Sequence, residues 1–332
     1  MIVVVSCERE LSDDISIATF PSTGDIYTDF TVGLTDAFFI SFDPASGANT
    51  QGFGTDDNEA YSGTSSIRID VPTPTDPDGS YIGGIFKDRG AGRDLTNYDA
   101  LTFWVKGSTT STVNVFGFGT DFEGDEYAVT LDNVELSTDW RKIIIPIPDP
   151  SKLSQEKGMF FFAAGTQGTN GIGFTFWLDE MRFEKLGTLG QPRPALFGGL
   201  DQIVQANVDS SIPISGLTYT ANQANGQDVT INAAPSYFDF ETSNPFVASV
   251  DESGVVTVDG PGENGDDTAI ISATLGGVEA MGTLTIQASN VNILPIYSNV
   301  FGNIGGLNLG AFNNSDIIIE GQTVGTEESI LY

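Results

Sequence analysis

The sequence predicts an all-β chain: a jelly-roll β-sandwich, an Ig-like β-sandwich after it, and the start of a further β module. Three observations carry this. Glycine is abundant, 39 of 332 residues, and aromatic residues make up 11%. Short runs of alternating polarity recur between clusters of Gly, Asn, Asp and Ser, as strands joined by turns do. No long stretch carries the spacing of an amphipathic helix.

Residues 1–7, MIVVVSC, are an apolar run ending in a small residue and Cys7. That resembles the close of a bacterial lipoprotein signal peptide, which would make Cys7 the lipid-bearing residue; the alternative is a free Cys in a short apolar N-terminus. It is the one cysteine, which leaves no partner for an intrachain disulfide. Residues 8–35 are polar and read as a tether. From 36 to 187 come the jelly-roll strand candidates 37–43, 65–71, 81–86, 100–107, 112–119, 126–131, 140–147, 159–165 and 171–183. Gly190, Pro192 and Pro194 make 188–195 a short, stiff linker. Residues 196–288 alternate strand and turn as an Ig-like sandwich does, and Gly254 is expected to supply positive φ in the turn Asp251–Gly254. This unit lacks clustered aromatics and reads as a spacer. Residues 290–332, with a strand candidate at 316–321, read as the start of a second jelly roll that the sequence breaks off.

A net charge of -32, from 13 basic and 45 acidic residues, argues against nucleic acid as a partner. With no histidine, His-based triads, proton shuttles and His metal sites are excluded. Glu123, Asp125 and Glu126 share one loop, while Asp179 and Glu180 point to opposite faces, so neither group is the carboxylate pair of a glycosidase. No nucleophile elbow or phosphate loop is present. The chain is therefore read as a binding protein and not an enzyme.

The stretch 171–183, GIGFTFWLDEMRF, orders the first unit. With period two, Thr175, Trp177, Asp179, Met181 and Phe183 share a face. Asp179 is the odd member, because a buried carboxylate needs a partner. It is either a carboxylate accepting backbone N–H bonds or a ligand of a structural Ca²⁺. For calcium, Asp57 or Glu59 and the Ser62 carbonyl would complete an oxygen shell. Several strands carry aromatics on both faces. Trp104, Phe118, Phe122 and Phe176 are the candidates for stacking on sugar rings, and Arg93 is the candidate for a groove rim, where the alternative is pairing with Asp88 or Asp94.

NEAYSGTSSIRIDVP (58–72), NYDALTFWVKG (97–107) and FTFWLDEMRFEKLG (174–187) resemble the carbohydrate-binding-module-like jelly roll of Bacteroidota surface glycan-binding lipoproteins, the SusE/SusF-like partners of glycan uptake systems. SNPFVASVDESGVVTV (243–258) resembles the bacterial Ig-like group 2 domain. ILPIYSNVF (293–301) resembles the entry to a further carbohydrate-binding jelly roll. The acidic residues after Cys7 resemble the signal that sends such lipoproteins to the outer face of the outer membrane. The resemblance implies a non-catalytic, lipid-anchored, cell-surface protein that binds polysaccharide, with β-glucan of the laminarin type as first candidate. It also implies a TonB-dependent transporter as partner and a structural Ca²⁺ held through Asp179. Two other classes fit the same residues: the non-catalytic front of a longer secreted glycoside hydrolase or lyase, and an adhesion or scaffold protein.

Overall fold

The computed structural model describes residues 20–34, 39–260 and 267–289, and the strand backbones of 320–324 and 327–331. Cys7, residues 8–19 of the expected tether and the opening of the third module lie outside the described residues. Among the described residues, no helix is long and apolar enough to cross a membrane.

The first sandwich contains β1 (Asp25–Tyr27), β2 (Ile40–Ser41), β3 (Phe53–Asp56), β4 (Ser66–Val71), β5 (Ile82–Lys87), β6 (Ala100–Gly107), β7 (Thr112–Phe118), β8 (Val129–Glu135), β9 (Arg141–Pro146), β10 (Gly158–Ala164) and β11 (Phe174–Glu184). One layer runs β3-β4-β11-β6-β9, with β1 added on β11; the other runs β8-β7-β10-β5-β2. Alternation turns Ile67, Ile69, Leu101, Phe103, Phe176 and Leu178 inward, onto Phe86, Phe116, Phe160 and Phe162 from the facing layer. The rings meet edge to face: Phe103 lies 5.0 Å from Phe116, and Phe176 lies 5.9 Å from Phe162.

Two local irregularities change the expected faces. In β11 the pairing with β6 shifts between Asp179 and Arg182, and Glu180 has φ 48. This bulge resets the alternation. Phe176 and Leu178 point inward before it, and Met181 and Phe183 after it; Trp177 stays half-exposed on the outer face. Thr175, Trp177, Met181 and Phe183 therefore do not share one face. In β8 Asn133 adopts φ 54 opposite Asn114 of β7, so Val113, Phe116 and Phe118 all reach the core.

The N-terminal segment is part of the sandwich from residue 20 onward. β1 pairs with β11, and Ile26 and Tyr27 are fully buried. The expected tether thus ends inside the fold.

The second sandwich contains β12 (Gly190–Ala195), β13 (Gln202–Asn207), β14 (Ser211–Pro213), β15 (Thr218–Asn222), β16 (Asp228–Ala233), β17 (Asp239–Thr242), β18 (Ala248–Val250), β19 (Val255–Val258), β20 (Thr268–Leu275), β21 (Val278–Glu279) and β22 (Leu284–Ser289). Gly254 has φ 73 and Asp251 accepts from the Ser253 and Val255 N–H groups, the turn expected there. The segment expected as a linker is strand β12, paired with β15. It tolerates Pro192 and Pro194 because it is the edge of its sheet, where a missing N–H costs least.

The two sandwiches share a sheet. β16 pairs with β8 through Asn232↔Thr130 and Ala233↔Val129, giving one eight-stranded order β12-β15-β16-β8-β7-β10-β5-β2. Tyr237 adds a hydrogen bond to the Tyr127 carbonyl and an edge contact with its ring at 5.4 Å. A single apolar cluster runs through both sandwiches, and the described residues up to Ala288 form one compact unit. In the second unit, Ser289–Tyr332, the described backbone forms an antiparallel hairpin of β23 (Glu320–Val324) and β24 (Glu327–Leu331).

Candidate functional site

Asp179 is fully buried, and its oxygens face N–H groups. Oδ2 accepts from Tyr61 N at 2.8 Å and Ser62 N at 3.0 Å; Oδ1 accepts from Glu180 N at 2.7 Å. Three backbone donors satisfy a buried carboxylate without a cation. Glu59 is turned away, onto Lys106 Nζ at 2.9 Å and Trp140 Nε1 at 3.3 Å. Asp57 is exposed, and Ser62 offers Asp179 its N–H instead of its carbonyl. Among the described residues no group of three or more His, Cys, Asp or Glu could hold a metal ion. Asp179, Glu59, Asp57 and Ser62 thus do not fit Ca²⁺ as arranged, because the 57–65 loop folds its N–H groups onto the carboxylate.

Arg93 also departs from expectation. It is buried, with Nε 2.8 Å from Asp88 Oδ1. Its remaining N–H groups donate to the carbonyls of Thr23, Asp25 and Val32. A buried guanidinium with an ion partner and three carbonyl acceptors is a clamp on the N-terminal segment, not the rim of a groove. Phe118 and Phe176 are core residues: Phe118 packs on Phe183 at 5.5 Å and Phe176 on Phe116 at 6.0 Å. Of the five expected ligand residues, Trp104 and Phe122 keep accessible surface, and they belong to different sheet faces.

The outer face of β3-β4-β11-β6-β9 gathers all three tryptophans. Tyr61 stacks on Trp104 at 3.7 Å with the rings 13° apart, and Trp140 meets Tyr61 edge-on. The indole N–H of Trp177 donates to Asp56 at 3.0 Å, and Lys106 sits 6.0 Å above the Trp177 ring. Arg68 pairs with Asp70 at 3.0 Å, and Lys142 with Glu184 at 2.6 Å. These rings and charges already have partners.

The outer face of the eight-stranded sheet is built differently. Gly83 and Gly117 let rings lie against it. A Cβ at Gly83 would come within 2.7 Å of the Phe42 ring, and one at Gly117 within 2.3 Å of the Phe161 ring. Phe161 is buried yet outside the main core cluster, forming a floor. Phe122 is 50% exposed and leans on Phe42 at 5.9 Å. Its loop is held by Asp125 Oδ1, which accepts from Asp121 N at 2.8 Å and Phe122 N at 3.1 Å. Glu123 links Lys157, at 2.7 Å, and Lys87. Those two ammonium groups, Lys157 foremost, hold its carboxyl down at about 2. Beside the rings lie Thr130 and Asp132, with Asn232 Nδ2 donating to each at 2.9 Å.

A polar cavity of about 350 Å³ opens next to this loop, lined by Asp121, Glu126, Lys152, Glu156 and Lys157 among others. Glu156 is buried there, and burial pushes its carboxyl up to about 7 against the pull of the Gly158 and Lys157 N–H groups. Sequence reasoning missed Phe42 and Asn232. The paired glycines of YIGGIF and the glycine of VFGFG were the available signal, since glycine inside a strand marks a close approach.

The family model described as CBM30, Carbohydrate binding domain 30, matches residues 30–185, which is the first sandwich. No curated protein matches the chain. Among solved structures, the family 30 carbohydrate-binding module of a cellulosomal cellulase of Clostridium thermocellum is 19% identical, with a TM-score of 0.32 over 50% of this chain and 95% of that one. A family 11 carbohydrate-binding module from Clostridium thermocellum, in complex with a β-1,3-1,4-mixed-linked tetrasaccharide, is 12% identical, with a TM-score of 0.33 over 51% and 98%. A β-1,2-glucanase from Parabacteroides distasonis is 11% identical, with a TM-score of 0.37 over 82% of this chain and 40% of that one.

Proposed function

We propose that this chain is a non-catalytic polysaccharide-binding protein and that the glycan lies on the outer face of the eight-stranded sheet, over Phe42 and Phe122, with Phe161 buried beneath as a floor. The observation that carries this is the glycine-floored ring surface at Gly83 and Gly117 beside Asp132 and Thr130. Pyranose C–H groups stack on ring faces, and hydroxyls take carboxylate, hydroxyl and amide partners. A β-glucan, of laminarin or mixed-linkage type, is the ligand to try first. The apolar run ending at Cys7 and the acidic residues after it support lipid anchoring at the outer-membrane surface, where the protein would serve a glycan uptake system with a TonB-dependent transporter. Affinity electrophoresis of the full chain against a polysaccharide panel tests the binding. Retarded migration in at least one β-glucan is expected, and unchanged migration across the panel would sink the reading. Cys7→Ala, behind a complete signal peptide, is expected to release the protein from membranes; unchanged partitioning would remove the anchor.

A further inference from the structure

We infer that the glycan-binding face continues onto the second sandwich, so that one long polysaccharide chain is held across both. The inference rests on the site proposed above and extends it. A single row of cross-strand neighbours crosses all eight strands: Ile40↔Ile85↔Phe161↔Gly117↔Thr130↔Asn232↔Thr218↔Ala195. The join at Thr130↔Asn232 is in register with its neighbour Ala233↔Val129. With strands ~4.8 Å apart, the row measures about 34 Å, and a pyranose ring is about as wide as one strand spacing.

The two halves of the row differ in chemistry. The first sandwich supplies rings over glycine. The second supplies hydroxyls and amides, because Tyr219, Ala221, Val229 and Ile231 turn into the core and leave Thr218, Thr220, Thr230 and Asn232 on the outer side. Thr220 and Thr230 hydroxyls lie 2.8 Å apart. Asn232 crosses the join to Thr130 and Asp132. Hydroxyl and amide groups both donate and accept, as sugar hydroxyls do. A chain stacked at Phe122 has two ways to leave the rings along this row. One ends at the β2 edge; the other runs over Thr130 onto Asn232, Thr218 and Thr220. A strand array shared between binding module and Ig-like unit thus makes the latter part of the site and not a spacer.

The test uses the full chain with laminari- and mixed-linkage glucan oligosaccharides, a trisaccharide and a heptasaccharide of each, by titration calorimetry. Thr220→Ala/Asn232→Ala removes two polar side chains of the row and is expected to weaken heptasaccharide binding about tenfold, with trisaccharide binding unchanged. Phe122→Ala is expected to weaken both lengths. If the double variant, with its melting temperature unchanged, binds the heptasaccharide like the parent while Phe122→Ala weakens both, the extension is overturned and the ring site stands. If the parent binds neither length of either glucan, the ring site fails for these sugars and the extension falls with it.

Discussion

The two open sheet faces of this molecule are both aromatic, yet they are arranged for different ends. On the β3-β4-β11-β6-β9 face, Tyr61 covers Trp104, Trp140 and Trp177 spend their N–H groups on Glu59 and Asp56, and Lys106 spends its charge on Glu59. A sugar arriving there would have to break these contacts before making its own. On the eight-stranded face, Phe122 projects into solvent beside Phe42, which lies over Gly83, and exposed Asp132 and Asn232 lie further along the same face, on β8 and β16. On the proposed function, density of aromatic residues does not mark the ligand face. What marks it is surface whose stacking and hydrogen-bonding capacity is still open.

The largest effect that separates the faces is expected at Asp179. Through Tyr61 and Ser62 it fastens the loop that carries Tyr61 to the tryptophan face. Asp179→Ala leaves three backbone donors without their acceptor and a small cavity, a loss on the order of 3 kcal/mol or more. Urea unfolding should show that loss, while glucan affinity measured well below the new midpoint stays within a factor of two or so. Melting of the parent should be indifferent to EDTA and to added calcium, because the three donors already occupy the carboxylate. A calcium-dependent rise in melting temperature, absent in Asp179→Ala, would show that the loop turns its carbonyls inward when the ion is present.

Next in size is Glu156, at the cavity beside the ring face. Burial favours the neutral acid, so the folded chain keeps this proton up to about pH 7, whereas the unfolded chain releases it near its ordinary 4.5. Between those values the folded state binds more protons, and this group's contribution to stability falls as pH rises. The full span corresponds to about 3 kcal/mol. Glu156→Gln keeps an acceptor oxygen for the Lys157 and Gly158 N–H groups and carries no charge to bury. Its stability at pH 8 should exceed the parent's, and the two should converge near pH 4.5. Parallel pH curves would mean that the carboxylate is ionised and satisfied in the fold.

Much of the architecture was legible in the sequence, and the reasons are local. Alternation in SSIRIDV and ALTFWVKG, and turn chemistry at Asp251–Gly254, set strands and turns directly. The faces were less legible. Glu180 and Asn133 adopt positive φ where the sequence shows no glycine, and each resets the alternation that would have assigned Trp177 and Val113. The shared sheet was not legible either, since Asn232 meets Thr130 across 102 residues and nothing in either strand names the other. Arg93 shows a third limit. A cation in a loop reads the same whether it waits for ligand or clamps three carbonyls, and only the packing of residues 23–32 on it decides.

The proposed glycan face is sharpened by Phe122→Ala. The Asp125 and Glu123 contacts that hold its loop do not involve the ring, so stability should change by roughly 0.5 kcal/mol or less. Affinity for the retained β-glucan should drop about tenfold, near 1.4 kcal/mol. Equal affinity in this variant would move the ligand away from the ring surface.

The smallest effect is expected at Tyr61, and it is the most direct way to reverse the comparison. Tyr61 is 43% exposed, stacked at 3.7 Å on Trp104, and its backbone N–H holds Asp179 whatever the side chain is. Tyr61→Ala therefore removes the ring stack and leaves the carboxylate anchored, at a cost of about 1 kcal/mol, the size of one aromatic pair. It also uncovers the Trp104 ring. If the tryptophan face is structural, glucan affinity stays at the parental value while the melting temperature falls slightly. If Tyr61 is a stacking platform, affinity falls with little change in melting. If it shields a latent platform, affinity rises as Trp104 is freed. Titrating the variant with the glucan that retards the parent distinguishes the three results, and either change in affinity would place ligand on the tryptophan face.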